Sequence, residues 1–294
     1  MPEGPEVTRV SRQLNTVVGN TFLNDIEPIS GRYTKKAPDG YFNFLELLAK
    51  GDLLVKSVNN KGKFIWWELE KDWFIYSTLG MSGNYKLEEN KHSRVRFTLT
   101  RVNRYETETF DVFYCDARNF GTLKFVNGIE ELHKKLRTIG PDMLNAPCSI
   151  SDFINICRKY SSKSIVKFLM EQKYISGVGN IYKSESLFLS SISPFKKIEE
   201  LSDEDLTRLY KAIVKVLKSS YESGGATIQS YSDLYASHGN YTRFPSNPSE
   251  MVSARDPSRV MVYGQKTDIY GNEVLKVVLD DQRTTYYSPT IQCV

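Results

Sequence analysis

The chain has 294 residues, 40% hydrophobic and 12% aromatic, enough apolar material for sizeable cores and for two domains. Its net charge of +4 suits an anionic partner without demanding one. Cys115, Cys148, Cys157 and Cys293 form no C-x-x-C pair, and His92, His133 and His238 are scattered, which argues against a zinc site built from these residues. No basic segment followed by an apolar run opens the chain, and no stretch is long and apolar enough to cross a bilayer, so the expectation is a soluble, intracellular protein with reduced thiols.

In chain order, Pro5 suits a first helical turn, and Val7, Val10, Leu14, Val17 and Val18 follow at helical spacing up to Gly19. The period then changes. Thr21–Ile29, Leu53–Val58, Phe64–Leu69, Trp73–Thr78, Val95–Thr100, Phe110–Cys115 and Thr122–Val126 are short and rich in β-branched and aromatic residues, and Val95, Phe97 and Leu99 alternate strictly. This pattern predicts an antiparallel β-sandwich carrying one amphipathic helix, with a hinge near residues 127–133. Helical spacing covers Asp152–Tyr160, Lys163–Gln172 and Ile181–Ser191. Ser149 before Asp152, and Ser202 before Asp205, carry capping-box spacing. The second opens a helix that closes at Gly224-Gly225. Gly224–Arg259 is polar and reads as a long loop, and Val260–Tyr263, Val274–Leu279 and Arg283–Tyr287 read as strands.

Several short segments carry chemistry. In Met1-Pro2-Glu3-Gly4-Pro5-Glu6 the small Pro2 favours removal of Met1, which exposes a secondary amine beside Glu3. An α-amino group has a pKa of roughly 7.7–8.0 and so is partly unprotonated near neutrality. A secondary amine forms a permanently charged iminium with an aldehyde-level carbon, which supplies nucleophile and electron sink in one residue, with Glu3 as acid or base. The same residues serve equally as a plain lead into the helix. Lys63, at a strand start, holds a phosphate or shuttles a proton, or is an ordinary turn lysine. Gly177-Val178-Gly179-Asn180, before a helix, is either a close approach to phosphate or an interhelical turn. Met81 and Phe120, with Arg118 nearby, sit at strand ends and are either core residues or wedges of the kind that unstack a duplex.

Taken together these stretches resemble the formamidopyrimidine-DNA glycosylase/endonuclease VIII (Fpg/Nei) family. MPEGPEV, KGKF around Lys63, LGMSG around Met81, DARNFG around Arg118, LMEQKYISGVGNIYKSESLF across Asn180, GGATI and VYGQK occur in the family's order from residue 1 to about residue 290. The resemblance implies a multidomain α+β fold: an N-terminal antiparallel β-sandwich with an amphipathic helix, then a helix–two-turn–helix domain with a finger hairpin, duplex DNA lying in the cleft between them. The expected boundaries are 1–128 for the catalytic domain, 129–260 for the helical domain and 261–294 for the finger. By the same resemblance Pro2 matches the nucleophile, Glu3 the acid and Lys63 the lysine assigned to phosphate contact and elimination. Met81, Arg118 and Phe120 match the void-filling residues, and Asn180 the phosphate-binding asparagine. His92 matches a DNA-contacting histidine, and Glu6 and Glu185 fall at acidic positions of less defined role.

One departure is plain. Relatives with a zinc finger carry a segment like R-x-T-x-Y-C-x-x-C-Q, whereas Arg283-Thr284-Thr285-Tyr286-Tyr287-Ser288-Pro289-Thr290-Ile291-Gln292 has Ser288 and Ile291 in place of the thiols. This resembles the zincless finger of the Nei-like branch, with Arg283 matching the catalytic finger arginine that grips the phosphate and assists the final elimination. The implied protein is a bifunctional DNA glycosylase/AP lyase of base-excision repair, using no metal and no cofactor. It would remove oxidised pyrimidines and ring-opened purines from double-stranded DNA, and act on abasic sites, by β,δ-elimination. It is expected to work as a monomer in the nucleus or wherever the genome is replicated. A non-catalytic DNA-binding protein and a lyase without base excision are the alternatives. The first has no need of Pro2, Glu3 and Lys63 together, and release of free base separates the second.

Overall fold

The structure, a computed structural model, describes residues 2–226, 234–235 and 260–293. The chain divides into two compact units, one built chiefly from Glu6–Thr138 together with Leu234 and Tyr235, the other from Glu3–Pro5 and residues 139–226 and 260–293. Helix α1 (Gly4–Val18) buries Val7, Val10, Leu14 and Val18, and Asn20, in the left-handed conformation at φ +60°, stops it.

The first unit continues with β1 (Thr21–Pro28), α2 (Arg32–Lys35), α3 (Tyr41–Leu48), β2 (Leu53–Lys61), β3 (Phe64–Leu69), β4 (Trp73–Thr78), β5 (Gly83–Lys86), β6 (Ser93–Val102), β7 (Thr107–Asp116), β8 (Thr122–Asn127) and α4 (Ile129–Arg137). The strands form one antiparallel sheet in the order β5-β7-β6-β1-β2-β3-β4-β8. β3 and β6 are three ladders apart, a separation of roughly 14 Å in a flat sheet. Yet Trp67 of β3 stacks on Phe97 of β6 with ring centroids 5.1 Å apart, and Tyr85 of β5 lies 5.9 Å from Trp67. The sheet therefore curls over itself, and its two limbs are the layers of the expected sandwich. Alternation sets the facing: Ile65, Trp67, Leu69, Val95, Phe97 and Leu99 are buried, while Trp66, Arg96 and Thr98 between them are partly exposed.

Two elements went unread in the sequence although they carry ordinary signals. In α3, Tyr41, Phe44 and Leu48 recur on one buried face. In α4, residues 129–137 are helical, with Glu130 and Glu131 in the first turn and Lys134, Lys135 and Arg137 in the last, which complements the helix dipole. Of the Gly224–Arg259 segment, all but Gly224–Ala226, Leu234 and Tyr235 lies outside the described residues. Leu234 is 2% exposed and joins the first unit's core, its N–H donating to Gln13 Oε1 at 3.1 Å.

The second unit contains α5 (Ile150–Lys159), α6 (Ile165–Met170), α7 (Asn180–Leu189), α8 (Asp203–Glu222), β9 (Leu275–Val278), β10 (Thr284–Tyr287) and α9 (Pro289–Gln292). Ser149, Ser164 and Ser202 cap their helices, and Ser202 forms a full capping box with Asp205. Helix α7 is buried from Ile181 to Phe188, polar residues included, because α8 and the hairpin β9–β10 cover it on different sides. The strand expected at Val260–Tyr263 does not form. The N–H groups of Met261, Val262 and Tyr263 instead donate to the Glu185 carboxylate at 2.6, 2.9 and 2.8 Å, so none is left for a ladder.

Candidate functional site

Glu3 is 1% exposed, and its carboxylate lies across the N-terminus of α7, accepting from Ile181 N–H at 3.1 Å and Tyr182 N–H at 3.4 Å. The free N–H groups and positive end of a helix stabilise negative charge there. This seat depends on Gly179, since a Cβ at that position would come 2.2 Å from Glu3 Cδ. Next door, Gly4 N–H donates to Gly177 O at 2.8 Å, and a Cβ on Gly4 would fall 2.7 Å from the same oxygen. The glycines read in the sequence as an approach to phosphate or a turn thus admit the chain's own N-terminal segment. Pro2, one residue before Glu3, is buried.

Asn180 is the first residue of α7, its Nδ2 donating to Thr284 O of β10 at 2.9 Å while its Oδ1 finds no hydrogen-bond partner among the described residues. Further along, the fully buried Lys183 pairs with Asp281, Ser184 Oγ accepts from Tyr286 N–H at 3.3 Å, and Glu185 takes the three N–H groups named above. Burial pushes Glu185 up to about 7, against those three donors. Burial also pulls the Lys183 ammonium down, opposed by Asp281. One helix therefore organises Glu3, Asn180 and the β9–β10 hairpin. Arg283 is exposed in the hairpin turn just ahead of β10, and its N–H donates to Asp281 Oδ1 at 3.1 Å.

The first unit brings Met81, Arg118, Phe120 and His92 together around one buried carboxylate, Asp116, at the end of β7. Asp116 Oδ1 accepts from Ser82 Oγ at 2.5 Å and from Arg118 N–H at 3.1 Å, and Oδ2 accepts from Gly121 N–H at 2.7 Å. Its own N–H donates to His92 O at 2.9 Å, which ties in the half-buried His92. Arg118 Nη1 reaches Met81 Sδ at 3.5 Å, while Phe120 remains 61% exposed. Met81 is half-buried and Phe120 exposed, and neither is among the buried core residues. Lys63 is half-buried in the two-residue turn between β2 and β3, with Gly62 at φ +56° supplying the backbone that a side chain resists.

Sequence reasoning missed Asp116, Lys183 and Asp281, whose partners are set by tertiary contact. In the C-terminal segment Ser288 and Ile291 offer no thiolate to zinc, and among the described residues no group of three or more His, Cys, Asp or Glu could hold a metal. Gln292 ties this end instead, accepting from Ser288 N–H and donating to Ile192 O, both at 2.8 Å. Asp268 closes the turn ahead of β9 by accepting from Tyr270 N–H at 2.8 Å and Asn272 N–H at 3.0 Å.

Comparison with known proteins agrees with this architecture. Residues 1–123 match the formamidopyrimidine-DNA glycosylase N-terminal domain, and residues 139–232 match the formamidopyrimidine-DNA glycosylase H2TH domain. A formamidopyrimidine-DNA glycosylase of Bacillus licheniformis is 33% identical over 239 residues, covering 79% of this chain and 82% of the relative. The fold superimposes on two Lactococcus lactis Fpg structures, each 26% identical with 99% of both chains covered. One, of a variant with DNA containing Fapy-dG, has a TM-score of 0.79, and the other, with DNA containing an oxidised pyrimidine, 0.77. The chain belongs to the formamidopyrimidine-DNA glycosylase family.

Proposed function

We propose that this DNA glycosylase of base-excision repair removes oxidised pyrimidines and ring-opened purines from double-stranded DNA and then cuts the strand as an AP lyase through a Schiff base on Pro2. Membership of the family, and the likeness to proteins bound to both kinds of lesion, support the glycosylase assignment. The observation that carries the mechanism is the fixing of Glu3 on α7. A carboxylate seated on two N–H groups, one peptide unit from Pro2, is held ready to take a proton from the Pro2 ammonium and return it to the departing base or ring oxygen.

With Met1 removed, the Pro2 nitrogen attacks C1′ as the bond to the base breaks. Opening of the protonated sugar ring gives an iminium that acidifies the C2′ proton. β-Elimination expels the 3′ phosphate, δ-elimination expels the 5′ phosphate, and water hydrolyses the remaining iminium to release the sugar fragment and Pro2. Met81 and Phe120 wedge into the stack vacated by the everted nucleotide, with Arg118 donating to the unpaired base. His92, Lys63, Asn180 and Arg283 hold the backbone, so binding weakens with salt. Residues 261–294 act in this reading as a zincless finger of the Nei-like kind.

Borohydride added to the protein on a thymine-glycol duplex should trap a covalent complex and leave free damaged base in solution. Pro2→Gly should lose the trapped species. Efficient trapping by a variant that retains Met1 would remove Pro2 from the mechanism. Strand cleavage at abasic sites without base release would reduce the activity to a lyase.

A further inference from the structure

Arg283 stands on a five-residue turn, 279–283, that joins β9 to β10, and nothing in its exposed side chain explains how that turn is held. The turn is fastened at two consecutive carboxylates. Asp280 accepts from Ser164 Oγ at 2.6 and 2.8 Å, at the cap of α6. Asp281 is shared. Its Oδ2 pairs with Lys183 Nζ on α7, and its Oδ1 accepts the N–H of Arg283 at 3.1 Å.

The pair is deep. The side chains of Lys183 and Asp281 are 0% and 1% exposed. Ion pairs so buried are a poor source of stability, because desolvation offsets their attraction and apolar isosteres often hold a fold as well or better. In some proteins such a pair instead fixes the register of the elements it joins. Here it joins the helix that begins at Asn180 and seats the Glu3 carboxylate to the backbone of Arg283.

We propose that Lys183 and Asp281 are positioning residues for Arg283: the buried ion pair sets the hairpin turn against α7, so that the guanidinium grips a phosphate in register with Asn180. This rests on the reading of Arg283 as a phosphate contact.

The test is the salt dependence of binding to duplex DNA carrying a tetrahydrofuran abasic analogue. Each phosphate contact contributes about one unit to the slope of log affinity against log salt. Arg283→Ala should lower the slope by about one. Lys183→Met/Asp281→Leu removes both buried charges together and so leaves none unpaired. It should melt as a folded protein, lower the slope by the same amount, and lower it no further when Arg283→Ala is added. Lys183→Met/Asp281→Asn, which keeps an acceptor for the Arg283 N–H, should recover part of the slope. A fold-stabilising role alone would shift melting without moving the slope. If Arg283→Ala lowers the slope while Lys183→Met/Asp281→Leu keeps it at the parent value, the positioning role is overturned. If Arg283→Ala itself leaves the slope unchanged, the phosphate reading of Arg283 fails, and the inference falls with it.

Discussion

The loops around Asp116 and the surroundings of α7 hold their candidate functional side chains by opposite means. In the first, one buried carboxylate gathers N–H and hydroxyl groups of neighbouring turns and leaves Arg118 and Phe120 standing out in solvent. In the second, the anchoring groups are themselves buried: Glu3, Lys183 and Glu185 are each 1% exposed or less, while Arg283 stays exposed. A loop built the first way works through what it exposes. A helix built the second way tolerates little change, since every buried polar group on it must keep its partner.

The largest effect should follow from disturbing the buried side. Gly179→Ala drives a methyl group into the Glu3 carboxyl, and we expect kcat/KM for base release to fall at least about a hundredfold, in keeping with misplacement of roughly an ångström. Activity near the parent value would show that the seat of Glu3 is not required.

A second test uses pH. Glu185 stays protonated in the folded chain up to about 7, whereas in the unfolded chain it ionises near 4.5. Between these values folding takes up a proton, so the contribution of this group to stability falls as pH rises from about 4.5 through about 7. The decline should reach roughly 3 kcal/mol in chemical denaturation and be flattened in Glu185→Gln. A decline unchanged in that variant would place its origin elsewhere.

On the exposed side, Asp116→Ala strips the acceptor from Ser82, Arg118 and Gly121 and should cost about 2 kcal/mol in denaturant midpoint analysis, with weaker binding to damaged DNA. Phe120→Ala should be the mildest. Stability stays within about 0.5 kcal/mol, because the ring already faces water. Affinity for lesion-bearing duplex drops roughly tenfold through lost stacking on bases. A stability loss as large as that of Asp116→Ala would mean that the ring packs rather than wedges.

The contrast also explains what could be read from sequence. Periodic signals transferred well: Val95, Phe97 and Leu99 alternate into the core, and Ser202 caps α8 as its spacing with Asp205 suggests. Met81 and Phe120 drew notice as apolar residues at strand ends, and only the family resemblance joined them with Arg118 as candidate void-filling residues. The α7 assembly was not, because its partnerships span long stretches of chain: Glu3 with Ile181, Lys183 with Asp281, Glu185 with Met261. Val260–Tyr263 shows the same limit. Its apolar run looks like a strand, and only the fold reveals a carboxylate taking its N–H groups.

The central claim is that the imino group of Pro2, set beside an anchored Glu3, bonds to deoxyribose. Mass spectrometry of the borohydride-reduced complex, digested to peptides, tests it most directly. We expect the deoxyribose-derived mass on the N-terminal peptide beginning at Pro2, with lysine-containing peptides unmodified. An adduct on Lys63 or any other lysine, with Pro2 free, would contradict the account.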